Sequence, residues 1–206
     1  MCCSEKEESI LKKSLELFST YGIRSVSMDD ISTNQGISKK TLYRFVKDKE
    51  ELISKVVAAT FKENSKRIES LLDPSFNAIE EVLAVVRFFT EMHQSHSANM
   101  IFDLQKFYPE IYSVFRKNRN EKLSSFFETN LKKGMIEGLY RENLDVNVVK
   151  RIIIHLSESI IESDNFTFEE ITSPHFIKEM YSYHLHGIVS EKGHEFLNQE
   201  LKKINK

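Results

Sequence analysis

Apolar residues in this 206-residue chain recur at three- and four-residue steps in one run after another, and the few helix breakers fall between the runs. Ile10, Leu11, Leu15, Leu17, Phe18 and Tyr21 stripe a first amphipathic helix that Gly22 ends. Ser27-Met28-Asp29-Asp30 reads as a capping box opening a short second helix, which reaches about Gln35 before Gly36. A third short helix is predicted from Ser38 to about Val46. Asp48-Lys49-Glu50-Glu51 then caps a long run through Leu52, Ile53, Val56, Val57, Phe61, Ile68 and Leu71 that stops at Pro74. Further helices are predicted over 76–95, 98–108, 110–137, 145–163 and from Pro174 through Ile188; Gly138 ends the third of these, with Gly134 fraying its last turn. Nine Gly and Pro together, about 4 % against the ~12 % of ordinary proteins, are too few for the turns of a sandwich or barrel. The expected fold is all-α, with about nine helices.

Several classes of function drop out at once. No apolar run approaches the ~18 residues of a membrane span, and the N-terminus lacks the apolar stretch of a secretory signal. The expectation is a soluble, cytoplasmic protein without a membrane partner. Cys2 and Cys3, the two cysteines, are adjacent and read as exposed terminal thiols rather than a disulfide framework. There is no Gly-rich phosphate loop, no His-Glu-x-x-His and no nucleophile elbow. No catalytic residue, metal site or cofactor is therefore expected. His93 and His96 stand three apart, and His184 with His186 two apart, which does not share a helical face.

The three short helices near one end suggest a helix-turn-helix, in which the second helix of the pair enters the major groove and the first crosses the backbone. Gly36 suits the tight turn between them. Ile31 and Ile37 are placed to pack under that turn, and Leu42 and Val46 to hold the second helix to its core. Residues 37–49 carry Lys39, Lys40, Arg44, Lys47 and Lys49 against Asp48 alone, whereas the whole chain has a net charge of −2. Such a local concentration of positive charge is what phosphate neutralisation requires. Charge alone fits an ordinary solvated face equally well.

The order and spacing of residues across this region go further. Ile10-Leu11 through Leu15, Leu17-Phe18 and Tyr21-Gly22, then Ser27-Met28-Asp29-Asp30-Ile31-Ser32, Gly36-Ile37-Ser38-Lys39-Lys40-Thr41-Leu42-Tyr43 and Lys49-Glu50-Glu51-Leu52 resemble the DNA-binding segment of the TetR family of transcriptional regulators. The likeness covers roughly residues 8–56. Ser32 stands where the family usually has alanine, and Phe45-Val46 where many members have His or Tyr followed by Phe. The resemblance implies a DNA-binding domain over residues 1–52 and a larger helical ligand-sensing and dimerisation domain over 53–206. It implies phosphate contacts from Thr41, Tyr43 and Lys49, base-edge contacts from Lys39, Lys40 and Arg44, and an N-cap at Ser38 with a phosphate contact of its own. It also implies a homodimer on double-stranded DNA with a palindromic operator, released by a small, apolar effector. The competing expectation is a helical carrier or enzyme whose N-terminal unit no longer binds DNA.

The middle helices supply Phe88, Phe89, Met92, His93, Met100, Phe102, Tyr112, Phe115, Phe126 and Phe127. Aromatic side chains with a few polar tips describe an apolar ligand pocket between helices, and they describe a filled core as well. The 145–163 helix is apolar around too much of its circumference for a one-faced surface helix. It and the 175–189 run are the candidates for pairing with a symmetry mate, or for burial within the chain.

Overall fold

A computed structural model describes residues 3–93, 98–163 and 165–204. Eleven α-helices occur among them: α1 (Cys3–Tyr21), α2 (Met28–Gln35), α3 (Lys39–Leu42), α4 (Lys49–Leu71), α5 (Ala78–His93), α6 (Ala98–Phe107), α7 (Pro109–Ile136), α8 (Val146–Glu162), α9 (Phe168–Ile171), α10 (Pro174–Ile188) and α11 (Glu191–Ile204). The all-α expectation holds, and the count exceeds nine because α9 and α11 were not foreseen. The sole extended pairing among the described residues is an isolated bridge between Tyr140 and Val189.

Capping chemistry explains the boundaries. Ser27 caps α2 and Asp30 closes the box, bonding back to the Ser27 amide at 2.8 Å. Gly36 ends α2 at φ 64°, a left-handed position that costs glycine little. The Asp48 carboxylate accepts from the Glu51 amide at 2.8 Å to open α4, and Asp145 caps α8. Gly134 does not fray its helix. It lies inside α7, where the Tyr140 ring packs so closely that a Cβ would collide with it.

The chain forms two compact units, Met1–Lys66 with Ser95–Arg119 and Arg67–Gln94 with Asn120–Lys206. In the first, Phe18, Ile23, Ile31, Leu42, Leu52 and Ile53 are fully buried, and Met100, Leu104 and Tyr112 of α6 and α7 join the same core. In the second, Ile79, Val82, Phe127, Leu131, Tyr140, Tyr181, Leu185 and Leu197 form the centre. The buried polar ends of Asn130 and Tyr140 are satisfied. Asn130 donates to the Ala78 carbonyl and to Glu81, both at 2.8 Å, while the Tyr140 hydroxyl lies 3.0 Å from the Asn130 Oδ1. No helix among the described residues is long and apolar enough to cross a membrane.

Candidate nucleic-acid interface

The recognition helix is shorter than its sequence suggests. Only Lys39–Leu42 is α-helical, although the winding continues as a tighter turn: the Arg44 amide bonds back three residues to Thr41 and the Phe45 amide to Leu42. Ser38 is its N-cap, with Oγ accepting from the Thr41 amide at 3.1 Å and lying 2.9 Å from the Thr41 hydroxyl. Leu42 and Val46 are buried and Ile37 half-buried, so these apolar residues root the segment as expected. Phe45 is half-buried against the same core, and its carbonyl accepts from Lys55 Nζ at 2.7 Å. Phe45 therefore packs. Ser32, in place of the family's alanine, is buried but satisfied, donating to the Asp29 carbonyl at 3.0 Å.

What remains on the outer face is cationic. Lys40, Tyr43 and Arg44 are exposed, and their polar ends have no partner among the described residues. Lys39 is exposed as well but forms an ion pair with Asp29 of α2, of the solvent-screened kind that contributes little stability. Lys49 behaves differently: its ammonium is half-buried and donates to the Ile23 carbonyl at 2.6 Å. Desolvation pushes its pKa below the usual lysine range, against the pull of Asp103 and Asp30. One of its three donors is thus spent on the α1–α2 turn.

That turn is also held by a residue the sequence reading passed over. Asp103 of α6 is buried, and its Oδ2 accepts from the Arg24 amide at 3.0 Å. The Arg24 guanidinium lies 4.4 Å over the Phe107 ring. The available signal was a single acid inside the apolar stretch Met100-Ile101-Phe102-Asp103-Leu104.

The effector-pocket candidates whose side chains are described divide between the two units. Phe88 and Phe89 pack edge to face at 5.6 Å, and Phe126 and Phe127 at 5.2 Å, within the unit that contains Arg67–Gln94. Met100 and Tyr112 are buried in the other unit, where Phe115 meets Phe61 edge-on at 6.1 Å. Phe102 is half-exposed beneath Lys106. The Met92 and His93 side chains, and His96 entirely, lie outside the described residues. A cleft of about 250 Å³ opens in the first unit between α4 and α7, lined by Val57, Phe61, Ile111, Val114 and Phe115 among others. In the second unit His184 stacks edge-on to Phe127 at 5.9 Å, and its Nε2 is buried without a hydrogen-bond partner among the described residues.

A capped two-helix unit with a left-handed glycine at its turn, rooted by apolar residues and presenting free cations outward, is a DNA-binding helix-turn-helix. Residues 10–56 match the pattern of the bacterial regulatory proteins of the tetR family. The HTH-type transcriptional repressor KstR2 of Mycobacterium tuberculosis is 22 % identical over 153 residues, covering 73 % of this chain and 76 % of KstR2. The solved structure of that ketosteroid regulator superposes with a TM-score of 0.60 at 21 % identity, covering 93 % of this chain and 98 % of KstR2. A transcriptional regulator of Saccharomonospora viridis, solved in complex with choline, superposes at 0.70 with 16 % identity, covering 91 % of this chain and 100 % of its own. The chain carries the DNA-binding segment of the tetR family of bacterial regulatory proteins and is a DNA-binding transcriptional regulator.

Proposed function

We propose that this regulator is a homodimeric repressor that sits on a palindromic operator and leaves it when a small, apolar effector binds. Residues 1–52 read the DNA, and residues 53–206 sense the effector and dimerise. The observation that carries the reading is the outward set of Lys40, Tyr43 and Arg44, exposed and without a partner among the described residues, on α3 and the turn after it. Thr41 and the Tyr43 hydroxyl donate to phosphates, and Ser38 adds its hydroxyl. Lys49 uses the donors left over from Ile23. Lys40 and Arg44 reach base edges, where a basic side chain favours guanine N7 and O6; Lys39 joins them by giving up Asp29.

Dimerisation is supported by large apolar side chains left outside: Val148 and Ile152, one helical turn apart on α8, and Tyr183 on α10, 78 % exposed. A twofold axis through such a face sets two recognition helices about one turn of DNA apart, ~34–36 Å. KstR2 is named for a ketosteroid and the Saccharomonospora viridis protein holds a cation, so the effector class has to come from this chain's own residues. Those residues support an uncharged molecule. Phe127 and His184 pair in the second unit, burial holds the imidazole pKa down at about 4, and its unpartnered Nε2 offers a hydrogen bond to a hydroxyl or carbonyl. Effector binding works by population shift and needs differential affinity for the released state.

The test is binding to an operator selected from random duplexes, followed across a salt series. Lys49 on a phosphate in each subunit gives a log–log slope near about −2 for the dimer. Tyr43→Ala should weaken operator and random duplex alike, whereas Arg44→Ala should relax preference at one base pair. A slope near zero, or full-strength binding by Tyr43→Ala, would overturn the reading.

A further inference from the structure

The α10–α11 turn brings together two histidines that no helical spacing predicts. His186 lies in the last turn of α10 and His194 in the first turns of α11. The Nδ1 of His186 stands 3.4 Å from the Nε2 of His194, with ring centroids 4.7 Å apart. That separation is at the long end of hydrogen-bonding range. It is the spacing of two donors on one tetrahedral ion: metal–nitrogen bonds of ~2.0–2.1 Å set the nitrogens about 3.4 Å apart.

We propose that His186 and His194 form an open site for an imidazole-preferring divalent ion of the first transition row, Zn²⁺ being the reference case. Three features of this region support it. The first is rigidity. Val189 and Ser190 alone separate the helices, and both are anchored. The Ser190 amide donates to the Leu139 carbonyl at 2.9 Å and its hydroxyl to the Gly138 carbonyl at 2.7 Å. Gly193 packs so close to the Leu139 carbonyl that a Cβ would collide. The backbone that carries both imidazoles is therefore fixed, and only their side-chain rotations remain for the ion to order.

The second is orientation of the ligand. Asn198, one turn along α11, lies with its amide 3.3 Å from the Nδ1 of His194. With the amide turned so that its oxygen faces the ring, it accepts the Nδ1 proton and leaves the Nε2 lone pair for the ion. A carbonyl behind a metal-bound imidazole raises its basicity and fixes its tautomer.

The third is charge. The concave surface beside His194 is lined by Glu142, Glu191 and Glu195 against a single Arg141, whose guanidinium donates to the Gly187 carbonyl. No group of three or more His, Cys, Asp or Glu side chains converges on one point among the described residues. The chain thus supplies two ligands, and water would complete the four-coordinate shell.

The experiment is calorimetric titration of the full-length Cys2→Ser/Cys3→Ser chain with zinc chloride alone, which removes competing thiols. One ion per chain should bind. His186→Ala and His194→Ala should each weaken uptake tenfold or more, and Asn198→Ala by about tenfold, while His155→Ala changes nothing. Circular dichroism confirms that the variants stay helical. No saturable uptake by the parent chain, or undiminished uptake by the His186→Ala/His194→Ala double variant, would overturn the proposal.

Discussion

Replacing Asp103 with alanine takes one acceptor and one charge away from the α1–α2 turn while leaving the recognition segment's own residues untouched. Two terms follow from the geometry. The Arg24 amide, part-buried and bonded to Asp103 Oδ2 at 3.0 Å, loses its partner, and stranding a buried donor costs about 1–3 kcal/mol. Lys49, already desolvated and leaning on Asp103 electrostatically, loses that neighbour, which acts in the same direction. The unit built from Met1–Lys66 and Ser95–Arg119 should therefore lose roughly 2–3 kcal/mol. Asp103→Asn keeps a carbonyl oxygen for the Arg24 amide and removes only the charge, so it should recover about half of that loss.

Urea denaturation measures the total, and amide hydrogen exchange locates it: Arg24 should lose protection while the amides around Tyr140 keep theirs. Operator binding should weaken with the alanine variant, because Lys49 is tethered to the same turn through the Ile23 carbonyl. An unchanged denaturation midpoint with unchanged exchange at Arg24 would refute the reasoning. So would an asparagine variant as damaging as alanine.

Two glycines offer a contrast of mechanism. At Gly36, with φ 64° and nothing within 4 Å of where a Cβ would stand, Gly36→Ala carries only the left-handed backbone penalty, about 1 kcal/mol. Gly134→Ala drives a methyl into the ring of fully buried Tyr140, and should cost about 2–3 kcal/mol as overpacking. Equal melting temperatures for the two variants would contradict this. His184 sets a pH dependence: burial lowers its pKa from 6.5 to about 4. As pH falls below 6.5 the unfolded chain takes up a proton that the native chain refuses, so stability is lost between pH 6.5 and about 4 and is constant with respect to this group above that window. The loss reaches about 3 kcal/mol. Urea midpoints at pH 7 and pH 4.5 should differ less in His184→Phe than in the parent chain, and an identical difference would rule the assignment out.

The helix boundaries were legible because their causes are local. Ser27 and Asp30 are three residues apart, Asp48 and Glu51 likewise, and Gly36 needs only its own backbone to stop α2. The same holds for the roots of the recognition helix: Leu42 and Val46 declare their inward face through spacing alone. Local reasoning failed where two local preferences competed. Ser38 to Val46 reads as one helix, yet after Leu42 the backbone tightens to three-residue bonds, and Phe45 and Val46 turn inward to reach the core. α11 escaped notice because its apolar residues, Phe196, Leu197 and Leu201, are few and set among charges; they acquire meaning only against the core formed by α5, α7 and α10.

The interactions that adapt this chain to a task lie further apart than any spacing rule can see. Asp103 and Arg24 are 79 residues apart and His186 and His194 eight, and neither pair shares a helix. Lys49 illustrates the consequence. Its position in the motif implied a phosphate contact, but position says nothing about the Ile23 carbonyl 26 residues earlier, which takes one of its donors. A motif residue can therefore serve the fold and the ligand together, and in this chain Lys49 ties the α1–α2 turn to the start of α4 next to Asp103. Since α6 carries Asp103, the segment that follows the DNA-reading residues in sequence is packed into the same unit as they are. Any displacement of α6 must break or drag the Arg24 bond, which adds one directional tie to the apolar packing of Met100 and Leu104 in the same core.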